Sequence, residues 1–160
     1  MRRSAHGEFL KGRILAIDYG TKRIGLAVSD ALGITAQGIQ TLERTNLADV
    51  LRHIQQLAEE YSAELVLLGN PLSHRGLDTA MSERVASFAD KLRRRLNCPV
   101  ELVDERLTSA EANRVLRDSG ISIEKRRNAR DRMAATLLLQ AYLDRLANEA
   151  ERLRAQGDES

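Results

Sequence analysis

The stretch ILAIDYGTKRIGLAVSD, Ile14 to Asp30, constrains the fold of this chain more than any other. Two apolar runs, Arg13–Asp18 and Ile24–Ser29, are joined only by Tyr19 to Arg23 with Gly20 inside the joint. So short a connection reads as a hairpin and makes the two strands antiparallel neighbours. Gly38–Leu42 continues the meander as a third strand. Leu47, Val50, Leu51, Ile54, Leu57, Ala58 and Tyr61 then recur at three- and four-residue steps behind Asn46, a candidate N-cap, and predict an amphipathic helix. Glu64–Gly69 is short and uniformly apolar, as expected of a central strand covered on both faces, and Asn70-Pro71 ends it.

Met81, Val85, Phe88, Leu92 and Leu96 mark a second helix, and Val100–Val103 a further strand that runs into DERLTSAEA. There Thr108 and Glu111 form a capping-box pattern for a short helix that Gly120 would stop. ISIEKRRNAR reads as a basic linker into a last helix, whose run from Met133 to Leu143 is apolar enough to lie against the sheet. Beyond Asp144 the chain turns polar and is expected to fray. Helices between the late strands need crossover connections, so those strands join the sheet in parallel. The expected fold is a mixed α/β sheet of five strands, strands one to three antiparallel and four and five parallel, with helices on both faces.

With 160 residues the chain suits one domain: a core over about 12–143, an N-terminal extension over 1–11 and a polar tail over 144–160. No apolar stretch approaches the roughly 18 residues of a membrane span, and the first eleven residues lack the apolar centre of a secretory signal. A cytoplasmic protein with no membrane partner is expected. The single cysteine, Cys98, reads as a small hydrophobe rather than a reactive thiol. The net charge of +2 decides little, but its distribution does. Arg114, Arg117, Lys125, Arg126, Arg127, Arg130 and Arg132 face only Asp118, Glu124 and Asp131, and Lys91, Arg93, Arg94 and Arg95 close the second helix. Such local excess suits a phosphate backbone, or an ordinary solvated face. Aromatic residues at 3% argue against extensive base stacking.

Sites on such a sheet lie at the carboxyl ends of central strands. Asp18 stands at one, and taken alone reads either as a turn-capping residue or as a ligand for a hard cation. Asp104 and Glu105 end the fifth strand, where alternation puts one of them on each face, and Asp131 opens the last helix. Carboxylates gathered at one sheet edge repel each other without a cation. Oxygen donors with no cysteine set or histidine pair point to Mg²⁺ or Mn²⁺, and two such ions about 3.5 to 4 Å apart can activate a water and stabilise the leaving oxygen of a phosphodiester. Of the histidines, His6, in an N-terminus expected to be loose, and His53 read as surface residues, whereas His74 in the loop after the fourth strand is a candidate substrate contact. Asn70, Arg127 and Arg130 border the same edge as candidate substrate-binding residues.

The segments IDYGTKRIGLAVSD, GNPLSHRG, VDERLTSAEA and RDRMAATLLLQAYL resemble, in that order, the signature segments of the YqgF family, also called the RuvX or RuvC-like Holliday junction resolvases. The resemblance runs from about Ile14 to Leu143. It implies an RNase H-like fold, a nuclease needing divalent metal, and a cytoplasmic role in maturing the 5′ end of pre-16S ribosomal RNA, with cleavage of branched DNA as the older proposal. It further implies Asp18, Glu105 and Asp131 as catalytic metal ligands, and Thr21, Lys22 and Arg106 along the substrate path. Two positions depart from the family pattern: Gly76-Leu77 stands where Gly-Thr is usual, and Asn70 where related resolvases carry an acid. The second carboxylate then comes from one strand further away, across roughly 10 Å of backbone, which favours the longer Glu105 over Asp104.

Two rival classes use similar features. An actin- or sugar-kinase-like nucleotide-binding protein also has an Asp-x-Gly-Thr hairpin but needs a second jaw, and a non-catalytic nucleic-acid scaffold would keep the fold without turnover. Within the nuclease class, the expected partner is structured RNA or branched DNA, and the chain a monomer or a homodimer; a symmetric four-way junction needs two active sites.

Overall fold

The computed structural model describes residues 2–3, 9–10, 12–20, 22–70, 79–104 and 123–158, with backbone alone for 2–3, 9–10, 70, 79–82, 104 and 123–132. Its elements are β1 (Arg2–Arg3), β2 (Phe9–Leu10), β3 (Arg13–Tyr19), β4 (Arg23–Ser29), β5 (Ala36–Glu43), α1 (Leu47–Glu60), β6 (Ala63–Asn70), α2 (Thr79–Arg95), β7 (Val100–Asp104) and α3 (Ile123–Gly157).

Five strands form one sheet in the order β5-β4-β3-β6-β7. The β3–β4 and β4–β5 pairs are antiparallel, and β3–β6 and β6–β7 are parallel. This is the mixed topology expected from the hairpin and the crossovers. It puts β3 at the centre, where every residue from Ile14 to Tyr19 is buried. Side chains of β3 alternate between two apolar layers. Leu15, Ile17 and Tyr19 pack with Val50, Ile54 and Leu57 of α1 and with Val85, Phe88 and Leu92 of α2. Ile14 and Ala16 pack with Ala135, Leu139, Tyr142 and Leu143 of α3. β6 divides in the same way, Leu65 and Leu67 to α3 and Val66 and Leu68 to the other layer, so it is the strand covered on both faces that its composition predicts.

Local chemistry sets several boundaries. Asn46 caps α1, its side-chain oxygen accepting from Ala48 N and Asp49 N at 3.0 and 3.3 Å. Asp30 folds the β4–β5 turn by accepting from Ile34 N at 2.7 Å. At the foot of β3 the register shifts between Arg13 and Ile14, and the buried Ser29 hydroxyl accepts from Ile14 N at 2.8 Å.

Three expectations need correction. The basic stretch read as a linker is helical from Ile123, because it contains neither Gly nor Pro and is rich in Glu, Lys, Arg and Ala, all good helix formers. The tail expected to fray from Asp144 is helix through Gly157, for the same reason of propensity; its residues beyond Leu146 are exposed except for the partly buried Ala150. The N-terminal extension, expected to be loose, forms the antiparallel pair β1–β2, with Arg2 opposite Leu10, and β1 lies against α3. The short helix expected over 108–120 falls outside the described residues.

Candidate active site

Asp18 is the one charged side chain buried among the described residues, with 8% of its surface accessible. It belongs to β3 itself rather than to the turn that follows, and pairs with Gly25 of β4. Alternation carries it to the α3 face, above Ile14 and Ala16. On the β6 side, one step past the pair Ile17–Leu68, its neighbour in register is Gly69, which in turn pairs with Val103. The carboxylate therefore stands between two strand glycines, both buried. No side chain fills the space beside it on either neighbouring strand, an arrangement that glycine inside a strand often marks where a ligand comes close. Sequence reasoning missed Gly25 and Gly69 as parts of the site; the signal available was glycine inside two otherwise apolar strands.

The hairpin beyond Asp18 is held tightly. Gly20 N donates to Arg23 O at 2.9 Å, and a Cβ on Gly20 would sit 2.5 Å from that same oxygen, so only glycine fits. Arg44, one residue past β5, secures the loop from outside. Its Nη1 donates to Gly20 O at 2.9 Å, its backbone N to Lys22 O at 2.9 Å, and its guanidinium lies 4.6 Å from the Tyr19 ring centre. Arg44 is a third residue the sequence did not reveal, since only strand pairing brings it 24 positions back to Gly20.

At the same carboxyl edge, Asn70 of β6 pairs with Asp104 of β7, two strands from β3. Glu101 and Val103 of β7 share the α3 side: Tyr142 of α3 donates its hydroxyl to Glu101 Oε2 at 3.2 Å, and Val103 packs on the α3 layer. Asp131 belongs to α3, one turn before Ala135 on the helix stripe that continues through Leu139 and Leu143 to the sheet. Arg127 and Arg130 fall in the first turns of α3. Lys22 is exposed in the hairpin loop. Thr21, His74, Glu105 and Arg106 lie outside the described residues. His53 of α1 contacts Gln40 of β5, on the other side of the sheet from Asp18. Burial pushes the Cys98 thiol up and away from the thiolate, in keeping with an unreactive residue. The basic run closing α2 does not act as one patch. Arg93 pairs with Asp90 at 3.2 Å and donates to Val100 O, while Lys91 turns toward the upper end of the sheet near Arg84.

Among the described residues no group of three or more His, Cys, Asp or Glu side chains comes together. What they do present is one buried carboxylate flanked in register by two glycines, and that donor fits a hard divalent cation of the oxygen-seeking kind.

The sheet order, the buried acid at the carboxyl end of its central strand and the helix packed on the same face of the sheet define a mixed-sheet protein of the RNase H-like class. Solved structures of that class share the fold: the RuvC of Thermus thermophilus in complex with a Holliday junction substrate superposes with a TM-score of 0.53 at 13% identity, over 84% of this chain and 95% of that one. The Fowlpox virus Holliday junction resolvase gives 0.53 at 18% identity, over 84% and 99%. A family model described as "RuvX: Holliday junction resolvase" matches residues 12–145, and the chain belongs to that family. Two relatives named "Putative pre-16S rRNA nuclease" are similar along most of their length. That of Koribacter versatilis is 49% identical over 140 residues, 88% of this chain and 92% of its own, and that of Clostridium acetobutylicum 40% identical over 132 residues, 82% and 98%.

Proposed function

We propose that this protein is a divalent-metal-dependent nuclease that hydrolyses a phosphodiester bond of precursor 16S ribosomal RNA near its 5′ end, in the cytoplasm. The observation that carries the reading is Asp18, a buried carboxylate between two glycines at the carboxyl end of the central strand, facing α3. The names of relatives 40–49% identical supply the substrate.

Asp18, Glu105 and Asp131 are the proposed catalytic residues and metal ligands. The parity of β7 supports Glu105 over Asp104, since Glu101 and Val103 occupy the α3 side and the next residue of that parity is 105. The position of Asp131 one turn before Ala135 supports the third ligand, because Ala135 packs on the same layer as Ala16. Two Mg²⁺ or Mn²⁺ ions bound there would supply charge stabilisation and a water of lowered pKa. The chain's own part is to hold the carboxylates at fixed positions and exclude bulk water beneath α3. It also presents cations to the polyanion, with Lys22, Arg106, Arg127 and Arg130 proposed for phosphate contacts and Thr21, Asn70 and His74 for polar ones.

No helix among the described residues is long and apolar enough to cross a membrane. A single chain suffices for trimming one RNA end, whereas resolving a four-way junction requires two. The test is cleavage of a precursor-rRNA fragment and of a four-way DNA junction by purified protein with Mn²⁺, Mg²⁺ or EDTA. Metal-dependent cutting of the RNA, lost in Asp18→Asn, is expected. Cutting of the junction alone would transfer the activity to branched DNA, and no cutting of either would overturn the reading.

A further inference from the structure

The face of the sheet opposite α3 carries a cleft of about 420 Å³ that the catalytic reading leaves unused. Its floor is apolar and rigid: the Tyr19 and Phe88 rings, 5% and 1% exposed, lie 4.6 Å apart at 36°. Its walls are cationic. Arg44 enters from the end of β5, and Arg84 and Lys91 come from α2, seven residues and so about two turns apart on one side of the helix. Glu83 is the only carboxylate on the lining among the described residues.

Some cations of the surface are already neutralised. Arg23, Arg52 and Arg93 each have a carboxylate partner, with Glu43, Asp49 and Asp90 respectively. Arg84 and Lys91, both exposed, form no ion pair among the described residues. Arg44 spends one donor on Gly20 O and stacks on Tyr19, and its other N–H groups make no hydrogen bond among the described residues. Three cations around an apolar floor repel one another, and the species that relieves this is an anion with several acceptor oxygens.

The cleft's position identifies that anion. Tyr19 follows Asp18 directly, and successive strand side chains point to opposite faces. The acid and the cleft thus lie back to back at the carboxyl end of β3, under the same hairpin. A polynucleotide cut at Asp18 carries further phosphates on either side of the scissile bond, and one direction of exit crosses that hairpin. We infer that the cleft anchors a backbone phosphate of the nucleic-acid substrate flanking the scissile one, through Arg44, Arg84 and Lys91; this rests on the nuclease reading above. Base stacking contributes nothing there, because both rings are buried beneath the cleft.

The test is the affinity of a labelled precursor-rRNA fragment for the full chain, by fluorescence anisotropy in EDTA over a series of salt concentrations. Arg84→Ala/Lys91→Ala is compared with Arg94→Ala/Arg152→Ala, which removes the same charge elsewhere; all four are exposed helical positions where alanine keeps the helix. The cleft variant is expected to bind roughly tenfold more weakly, with the slope of log affinity against log salt reduced by about one to two, and the control to match the wild type. Equal losses in both variants, or none in either, would overturn the inference. So would binding of millimolar inorganic phosphate or adenosine monophosphate to the wild type, lost in the cleft variant, that leaves the fragment bound, because the cleft would then hold a free phosphate ligand and not the substrate backbone. Failure of the nuclease reading shows itself separately, as absence of metal-dependent cleavage by a wild type whose binding still depends on Arg84 and Lys91.

Discussion

Asp18 and Ser29 are the two polar side chains buried among the described residues, and they are buried for different reasons. Ser29 repairs the backbone: its hydroxyl takes the Ile14 N–H at the register shift between Arg13 and Ile14. Ser29→Ala leaves a buried donor without that acceptor and should destabilise the fold by about 1–3 kcal/mol in denaturant unfolding; an unchanged midpoint would contradict this role. The role proposed for Asp18 is chemical. Asp18→Asn preserves the side-chain shape and should keep the native circular dichroism spectrum, while cleavage falls roughly a thousandfold with the loss of metal-based charge stabilisation. At this scale the acid was legible, because a carboxylate in the wake of an apolar strand is conspicuous. Its surroundings were less so. Gly25 and Gly69 matter through the side chains they lack, and their position beside Asp18 follows only from strand register.

The hairpin is the element on which the site and the cleft both depend. Gly20→Ala puts a methyl 2.5 Å from Arg23 O, a backbone atom that cannot step aside without moving the turn. A loss of about 1–3 kcal/mol and a drop in cleavage larger than that of any surface control are expected, read from thermal unfolding and turnover on the same samples. The far half of α3 behaves in the opposite way. Its residues from Ala147 to Asp158 are exposed apart from the partly buried Ala150, so deleting 149–160 should change stability by about 1 kcal/mol or less; a larger drop would mean that this half of the helix supports the core. Strands and the first two helices were legible because apolar spacing reports burial directly. The ends of α3 were not, since a charged stretch has no apolar period to read and leaves only propensity. Arg44 was also invisible, as no local pattern marks a residue whose partner lies across a strand pair.

At the scale of the whole molecule, the strand order β5-β4-β3-β6-β7 brings the carboxyl ends of β3, β6 and β7 to one edge. A tight hairpin forces the antiparallel half, crossover helices force the parallel half, and both facts are written in connection lengths, so the sheet was legible almost entire. The complete acid site was not. The proposed site joins residues 18, 105 and 131, and convergence of such remote positions depends on helix packing angles that no local pattern encodes. Mn²⁺ titration followed by electron paramagnetic resonance tests this convergence most directly, on the wild type and on Asp18→Asn, Glu105→Gln and Asp131→Asn. Two bound ions with a spin-coupled signal, lost in each of the three variants, are predicted. A single uncoupled ion, or a coupled pair that survives any of the three substitutions, would contradict a shared two-ion centre.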